Sequence, residues 1–284
     1  MMGRFHRHDG TESGHTHAHA DGSEHSHWHP GEGGHTHSEQ LGDHSGYQTG
    51  GDRIDVLERI FDENDNAAAG NRSRLDDAGV VAVNLMSSPG AGKTTVLART
   101  LQELAETVRV GVVEGDIETA IDADRLRPFA AQISLLNTGD GFGGECHLDA
   151  PMVARALDAL DLAALDLLMI ENVGNLVCPA EFEVGAHRRA MVFAVTEGED
   201  KPLKYPVMFR SVETVLVNKT DLLPHLDFDI ELFERNLRAI NPRARTFYVS
   251  AKSGDGFDDW LQWLRGDVLA PARSNTAAAS TSRR

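Results

Sequence analysis

One junction constrains this chain more than any other feature. The almost wholly apolar run Val80 to Met86 leads straight into Ser87-Ser88-Pro89-Gly90-Ala91-Gly92-Lys93-Thr94-Thr95, and Thr94 to Glu106 then takes helical spacing. A strand buried on both faces, a glycine-rich turn and a helix form the context that a phosphate-binding loop requires. Gly90 and Gly92 let the backbone curl around Ala91 so that its N–H groups point inward. The helix N-terminus at Thr94 and Thr95 adds partial positive charge. Lys93 can reach β- and γ-phosphates, and the Thr94 hydroxyl is placed to coordinate Mg²⁺. The usual pattern opens with glycine where this chain has Ser87.

Strand and helix patterns alternate downstream. Val108 to Val113, Ile133 to Leu136, Leu165 to Ile170, Met191 to Val195, Thr214 to Val217 and Thr246 to Val249 read as strands. Met152 to Leu160, Phe228 to Ile240 and Phe257 to Leu264 read as helices. The alternation predicts an α/β fold with a doubly wound, mainly parallel sheet. The chain's 284 residues, 40% of them hydrophobic, suffice for one such domain. Ahead of it, Ile54, Leu57, Ile60 and Phe61 recur at helical spacing behind Asp52, predicting a short amphipathic helix to about Asn66 and a polar stretch from Ala67 to Gly79. The expected organisation is a His-rich tail over 1–51, a helix and linker over 52–79, the nucleotide domain over 80–267 and a frayed tail over 268–284.

Composition narrows the partners. A formal net charge of -17 argues against nucleic acid and against an anionic membrane surface. No apolar run reaches the roughly 20 residues of a membrane span, and the N-terminus lacks an apolar signal core, so a cytoplasmic location is expected.

Several strand ends carry candidate chemistry. Asn218-Lys219-Thr220-Asp221 has the form Asn-Lys-x-Asp and resembles the guanine-specificity motif of GTPases. The Asp221 carboxylate would accept two hydrogen bonds from the guanine edge, a donor pair that adenine cannot offer. Ser250-Ala251-Lys252 ends the next strand and resembles the loop whose backbone touches the guanine oxygen. Glu114-Gly115-Asp116 follows the second strand, and Asp116 can hold Mg²⁺ directly or through water. Asp122 and Asp124 are either part of a first switch or a solvated acidic turn. Glu171-Asn172-Val173-Gly174 stands in the place of an Asp-x-x-Gly second switch, with Glu171 as an Mg²⁺ candidate and the Gly174 N–H as a γ-phosphate sensor. Lys93 and Asp116 are the expected catalytic residues. No glutamine stands at a water-positioning site, so slow intrinsic turnover is expected.

The only two cysteines are Cys146 and Cys178. Cys146 is followed by His147, ahead of a helix opened by Asp149 and Pro151, and Cys178 continues the second switch. Thiolate and imidazole together suit Zn²⁺ or Ni²⁺. The bland alternative is two packed cysteines beside an incidental histidine. In the tail, His15, His17, His19, His25, His27, His29, His35 and His37 alternate with small residues. Such imidazoles chelate Ni²⁺, Cu²⁺ or Zn²⁺ without choosing nickel, which suits storage or buffering. With almost no aliphatic residues, the tail is expected to be disordered.

Together these strings resemble the HypB family of hydrogenase nickel-incorporation GTPases. The residues that carry the resemblance are Met86 to Thr95, Glu114-Gly115-Asp116, Cys146-His147-Leu148-Asp149-Ala150, Glu171 to Pro179 and Thr196 to Pro206, within a match over about Asp52 to Asp267. Ser87 and Glu171 fit that family's own pattern. The resemblance implies a GTPase of the signal-recognition-particle/MinD class (SIMIBI) that converts GTP to GDP. It also implies a homodimer that depends on nucleotide or metal, and a metal site near its interface built from Cys146, His147 and Cys178. Nickel would pass to the hydrogenase large-subunit precursor, with the accessory protein HypA as partner. Some members carry an N-terminal Cys-x-x-Cys-Gly-Cys nickel motif. Here no cysteine precedes Cys146, and Asp140 to Glu145 look longer than in some relatives. Two other readings stay open: a nickel or zinc store with a vestigial GTPase domain, and a nickel GTPase serving urease.

Overall fold

The computed structural model describes residues 15–18, 24–27, 51–115, 121–136 and 146–271. The chain divides into two compact units, Met1–Asp55 and Val56–Arg284. In the first unit β1 (His15–Ala18) pairs antiparallel with β2 (Glu24–His27), placing His15 opposite His27 and His17 opposite His25. His19, His29, His35 and His37 lie outside the described residues, as does the rest of the expected disordered tail.

Helix α1 runs from Gly51 to Ala78. It is followed by β3 (Val81–Ser87), α2 (Lys93–Leu104), β4 (Val110–Glu114), α3 (Ile121–Leu126), β5 (Gln132–Leu135), α4 (Ala150–Asp158) and β6 (Leu167–Gly174). Then come α5 (Cys178–Glu181), β7 (Arg188–Ala194), α6 (Lys201–Lys204), α7 (Pro206–Ser211), β8 (Thr214–Asn218), α8 (Ile230–Ile240), β9 (Arg245–Tyr248) and α9 (Phe257–Trp263).

The strands form one seven-stranded sheet in the order β5-β4-β6-β3-β7-β8-β9, with every pairing parallel. The expected doubly wound parallel sheet is what the chain folds into. Each strand sends alternate side chains to opposite faces. On β3, Val81, Val83 and Leu85 join a core with Val96, Leu97, Leu101 and Leu104 of α2 and Trp260 of α9. Its neighbours Val80 and Ala82 face Leu75 of α1 and Val153 and Leu157 of α4. A third cluster packs Phe193 and Val217 against Phe209 of α7 and Phe233 of α8. Burial on both faces is why these strands read as apolar runs. In a parallel sheet all the strands end on one edge, so the loops after β3, β4, β6, β8 and β9 meet there.

Helix α1 corrects the expected boundary. It does not stop near Asn66 but continues through the supposed linker to Ala78. Ala67, Ala68 and Ala69 favour helix. Asn64, Ala68, Asn71 and Leu75 then form the buried stripe, at helical spacing. Two asparagines on that stripe hide it from a hydrophobic pattern. Ile60 and Phe61, the visible apolar pair, are instead 46% and 37% exposed.

Candidate nucleotide and metal site

The phosphate loop lies between β3 and α2. Gly90 and Gly92 adopt φ of 75° and 93°, the left-handed region that side chains disfavour. A Cβ on Gly92 would also stand 2.6 Å from the Asn218 amide. Gly92 caps α2 without a side-chain hydrogen bond, which leaves the helix N-terminus to an anion.

Glu171, in the second half of β6, reaches into this loop. Its Oε1 accepts a 2.7 Å hydrogen bond from the Thr94 hydroxyl and lies 3.3 Å from Lys93 Nζ. Lys93 and Glu171 are both buried, and Glu171 Oε2 has no hydrogen-bond partner. A buried carboxylate oxygen without a donor, beside a threonine hydroxyl, is a hard-oxygen set that fits Mg²⁺. Asp116 lies outside the described residues. Asp124 forms an exposed ion pair with Arg127, the solvated alternative, and Thr95 accepts from Arg125 at 3.4 Å. Gly174 passes so close to the loop that a Cβ would lie 3.3 Å from Pro89 Cα.

The base-reading segments are latched to one another and to the phosphate loop. Asn218 Nδ2 donates to the Ala91 carbonyl at 2.9 Å, and its Oδ1 accepts from the Ala251 amide at 3.1 Å. Lys219, with a left-handed φ of 65°, extends Nζ to the Gly90 carbonyl at 2.7 Å. The Ser250 hydroxyl donates to Asp221 Oδ1 at 2.7 Å and so orients the carboxylate. Lys252 is exposed beside it.

Cys146, His147 and Cys178 come together although two of the three belong to a different loop from the third. Their ligand atoms lie within 4.8 Å of one another. Both cysteines are free thiols, and Cys146 Sγ donates to Cys178 Sγ at 2.9 Å. That hydrogen bond and burial push the Cys178 thiol up to about 11. Two thiols this close resist ionising together, and a bound cation reverses that penalty. Asp149 caps α4 by accepting from the Met152 amide at 2.7 Å, which fixes the chain just after His147.

Helix α1 holds both ligand loops, a role that sequence reading missed. Asn64 Oδ1 accepts from the Ala150 amide and its Nδ2 donates to the Glu183 carbonyl, each at 2.9 Å. Asn71 Nδ2 donates to the carbonyls of Ala150 and Val184 at 2.8 and 3.1 Å. Phe61 stacks on Phe182 at 5.3 Å, and Phe182 stacks on the His147 imidazole at 4.1 Å. The Thr196 to Pro206 segment has a place too. Glu197, Lys201 and Tyr205 line a cavity of about 460 Å³ with Ser88, Pro89 and Gly174 to Val177. Burial raises the Glu197 carboxyl above its ordinary value.

A phosphate loop on a parallel sheet, a sensor strand carrying a buried acid and a base-reading latch define a P-loop nucleotide hydrolase. The family model for the CobW/HypB/UreG nucleotide-binding domain matches residues 81–248. Hydrogenase maturation factor HypB of Azotobacter vinelandii is 48% identical over 209 residues, covering 74% of this chain and 68% of that protein. Hydrogenase/urease maturation factor HypB of Helicobacter pylori (strain J99) is 38% identical, covering 74% and 86%. The crystal structure of HypB from Helicobacter pylori in complex with nickel superposes with a TM-score of 0.68 at 36% identity, covering 75% of this chain and 96% of that one. The chain belongs to this family and, within it, to the HypB hydrogenase maturation factors.

Proposed function

We propose that this chain is a GTP-hydrolysing nickel metallochaperone for the maturation of nickel–iron hydrogenase. One arrangement carries the reading: β6 presents Glu171 to Lys93 and Thr94, and the same stretch of chain then delivers Cys178 to Cys146 and His147. An element that touches the phosphate loop therefore also carries a thiol ligand.

In this reading Lys93 and the α2 N-terminus bind the phosphates, and Thr94, Glu171 and Asp116 hold Mg²⁺. When bound, Mg²⁺ neutralises charge that develops on the phosphate oxygens. Asp221, oriented by Ser250, takes the guanine edge, and Asn218 ties the Ala251 backbone to it. Cys146, Cys178 and His147 take Ni²⁺ as cargo, with Zn²⁺ as a competitor for the same donors. Loading displaces thiol protons, so nickel binds more tightly as pH rises. The homodimer, HypA and the hydrogenase large-subunit precursor are the proposed partners. Among the described residues no helix is long and apolar enough to cross a membrane.

The test is a nickel titration of the full chain, followed by thiolate-to-nickel charge-transfer absorption with Mg²⁺ and either GDP or a non-hydrolysable GTP analogue. No cysteine precedes Cys146, so this band reports the Cys146/Cys178 site and ignores the tail histidines. The reading expects different nickel affinities in the two nucleotide states. Equal affinities would leave a nucleotide hydrolase with a separate metal site.

A further inference from the structure

Asn172 follows Glu171 on β6, and neighbours on a strand face opposite ways. The alternation is visible in the packing. Leu167 and Met169 face the α2 core, whereas Leu168 and Ile170 face the α4 core. Glu171 continues the first series toward Lys93 and Thr94, and Asn172 continues the second toward the loop that carries Cys146 and His147.

Asn172 is completely buried, and its carboxamide is used on both sides. Oδ1 accepts from the Leu148 amide at 3.0 Å and from the Val173 amide at 2.9 Å. Nδ2 donates to Asn84 Oδ1 at 3.2 Å, on the strand that leads into the phosphate loop. Leu148 directly follows His147, so the amide that Asn172 grips belongs to the peptide unit of a metal ligand. The Leu148 side chain, fully buried, lies over Gly115, where a Cβ would approach within 2.7 Å of it. The Gly115 amide in turn donates to the Glu171 carbonyl at 3.0 Å. Leu148 is thus held from β6, which pairs with the strand leading into the phosphate loop, and from the residue after β4, the other neighbour of β6.

We infer that Asn172 is the positioning residue that transmits the state of the phosphate loop to the metal ligands. The inference rests on the functional reading above and names the residue through which it works. When Glu171 moves with the occupant of the phosphate loop, the adjoining carboxamide moves the Leu148 peptide, and His147 and Cys146 follow. Only a side chain with an acceptor at this position can carry that movement. An apolar one would leave the Leu148 N–H buried without an acceptor.

The experiment compares nickel affinity in the GDP state with that in the GTP-analogue state, by the charge-transfer band, in the full chain and in Asn172→Ala. Coupled sites differ by about 5- to 150-fold in affinity. The wild-type ratio should fall in that range. Asn172→Ala should bring the ratio to within about twofold of one while still binding nickel through sulfur. A residue with a merely structural role would shift both affinities together and leave the ratio unchanged, and that result overturns the inference. A wild-type ratio of one would instead remove the functional reading beneath it. Hydrogen exchange at the Leu148 amide of the unaltered chain gives a second measurement that needs no variant. The amide should stay protected with either nucleotide, and fast exchange in one state would show that the grip is released rather than transmitted.

Discussion

Exchanging the Glu171 carboxylate for an amide (Glu171→Gln) removes one charge and almost no volume. The carboxylate is 0% exposed and stands 3.3 Å from a Lys93 ammonium that is 6% exposed. The Thr94 hydroxyl donates to the same oxygen at 2.7 Å. A glutamine oxygen still accepts from both donors, so the hydrogen bonds survive and only the counterion of a buried ammonium is lost. Breaking a buried ion pair by removing one partner costs about 3–5 kcal/mol. With both hydrogen bonds retained, the lower end applies, about 3 kcal/mol. At 2–4 °C per kcal/mol for a domain of this size, the nucleotide-free protein should melt about 6–12 °C lower. Saturating GDP supplies phosphate oxygens as new partners for Lys93, so the gap should narrow when GDP is added without Mg²⁺. Calorimetric melting of both proteins, with and without GDP, measures the two gaps. A nucleotide-free variant melting within about 2 °C of the unaltered chain would refute the claim that Glu171 balances Lys93 in the fold.

Two other substitutions probe separate parts of the molecule. Asp221→Asn replaces an acceptor by a donor at the base edge, so GTP should bind about 5- to 150-fold more weakly while xanthosine triphosphate gains, as competition binding would reveal. His187 Nδ1 accepts from the Ala82 amide at 3.0 Å and its Nε2–H donates to Asp76 at 2.8 Å, an arrangement that requires the neutral ring. Burial, opposed by Asp76, lowers its pKa below the ordinary 6.5. Its contribution is therefore complete above pH 6.5 and is lost as the pH falls through the lower folded value. The melting advantage of the unaltered chain over His187→Asn should shrink on acidification, and an advantage that grew instead would mean that the charged pair with Asp76 dominates.

Much of the fold was legible because parallel strands covered on both faces must be apolar throughout. Val108 to Val113 and Met191 to Val195 needed no partner to be recognised as strands, and the observed strands Val110–Glu114 and Arg188–Ala194 overlap both. The phosphate loop was legible for a different reason, since its glycines, lysine and threonine act locally. The length of α1 was not. Its inward stripe alternates Asn64 and Asn71 with Ala68 and Leu75, and asparagine looks polar until its amide meets loop carbonyls far along the chain. Thr196 to Pro206 was opaque for the same reason. Glu197 accepts from the nearby Ala194 amide, but Glu199 accepts from the Asp229 amide and its carbonyl from Asn236, contacts that exist only after folding. The approach of Cys146 to Cys178 belongs to this class too, because sheet order rather than spacing brings them together.

The reach of α1 has a practical corollary. Its asparagines at positions 64 and 71 suture both thiol-bearing segments to a helix that starts at Gly51, directly after the histidine-rich stretch. A shortened version meant only to discard those histidines must therefore keep that rod from ahead of Asn64 to its end. Cutting at the seemingly harmless alanines would unpick the pocket for the ion along with the unwanted leader, and a metal-free preparation would then be mistaken for proof that the histidines alone had held it.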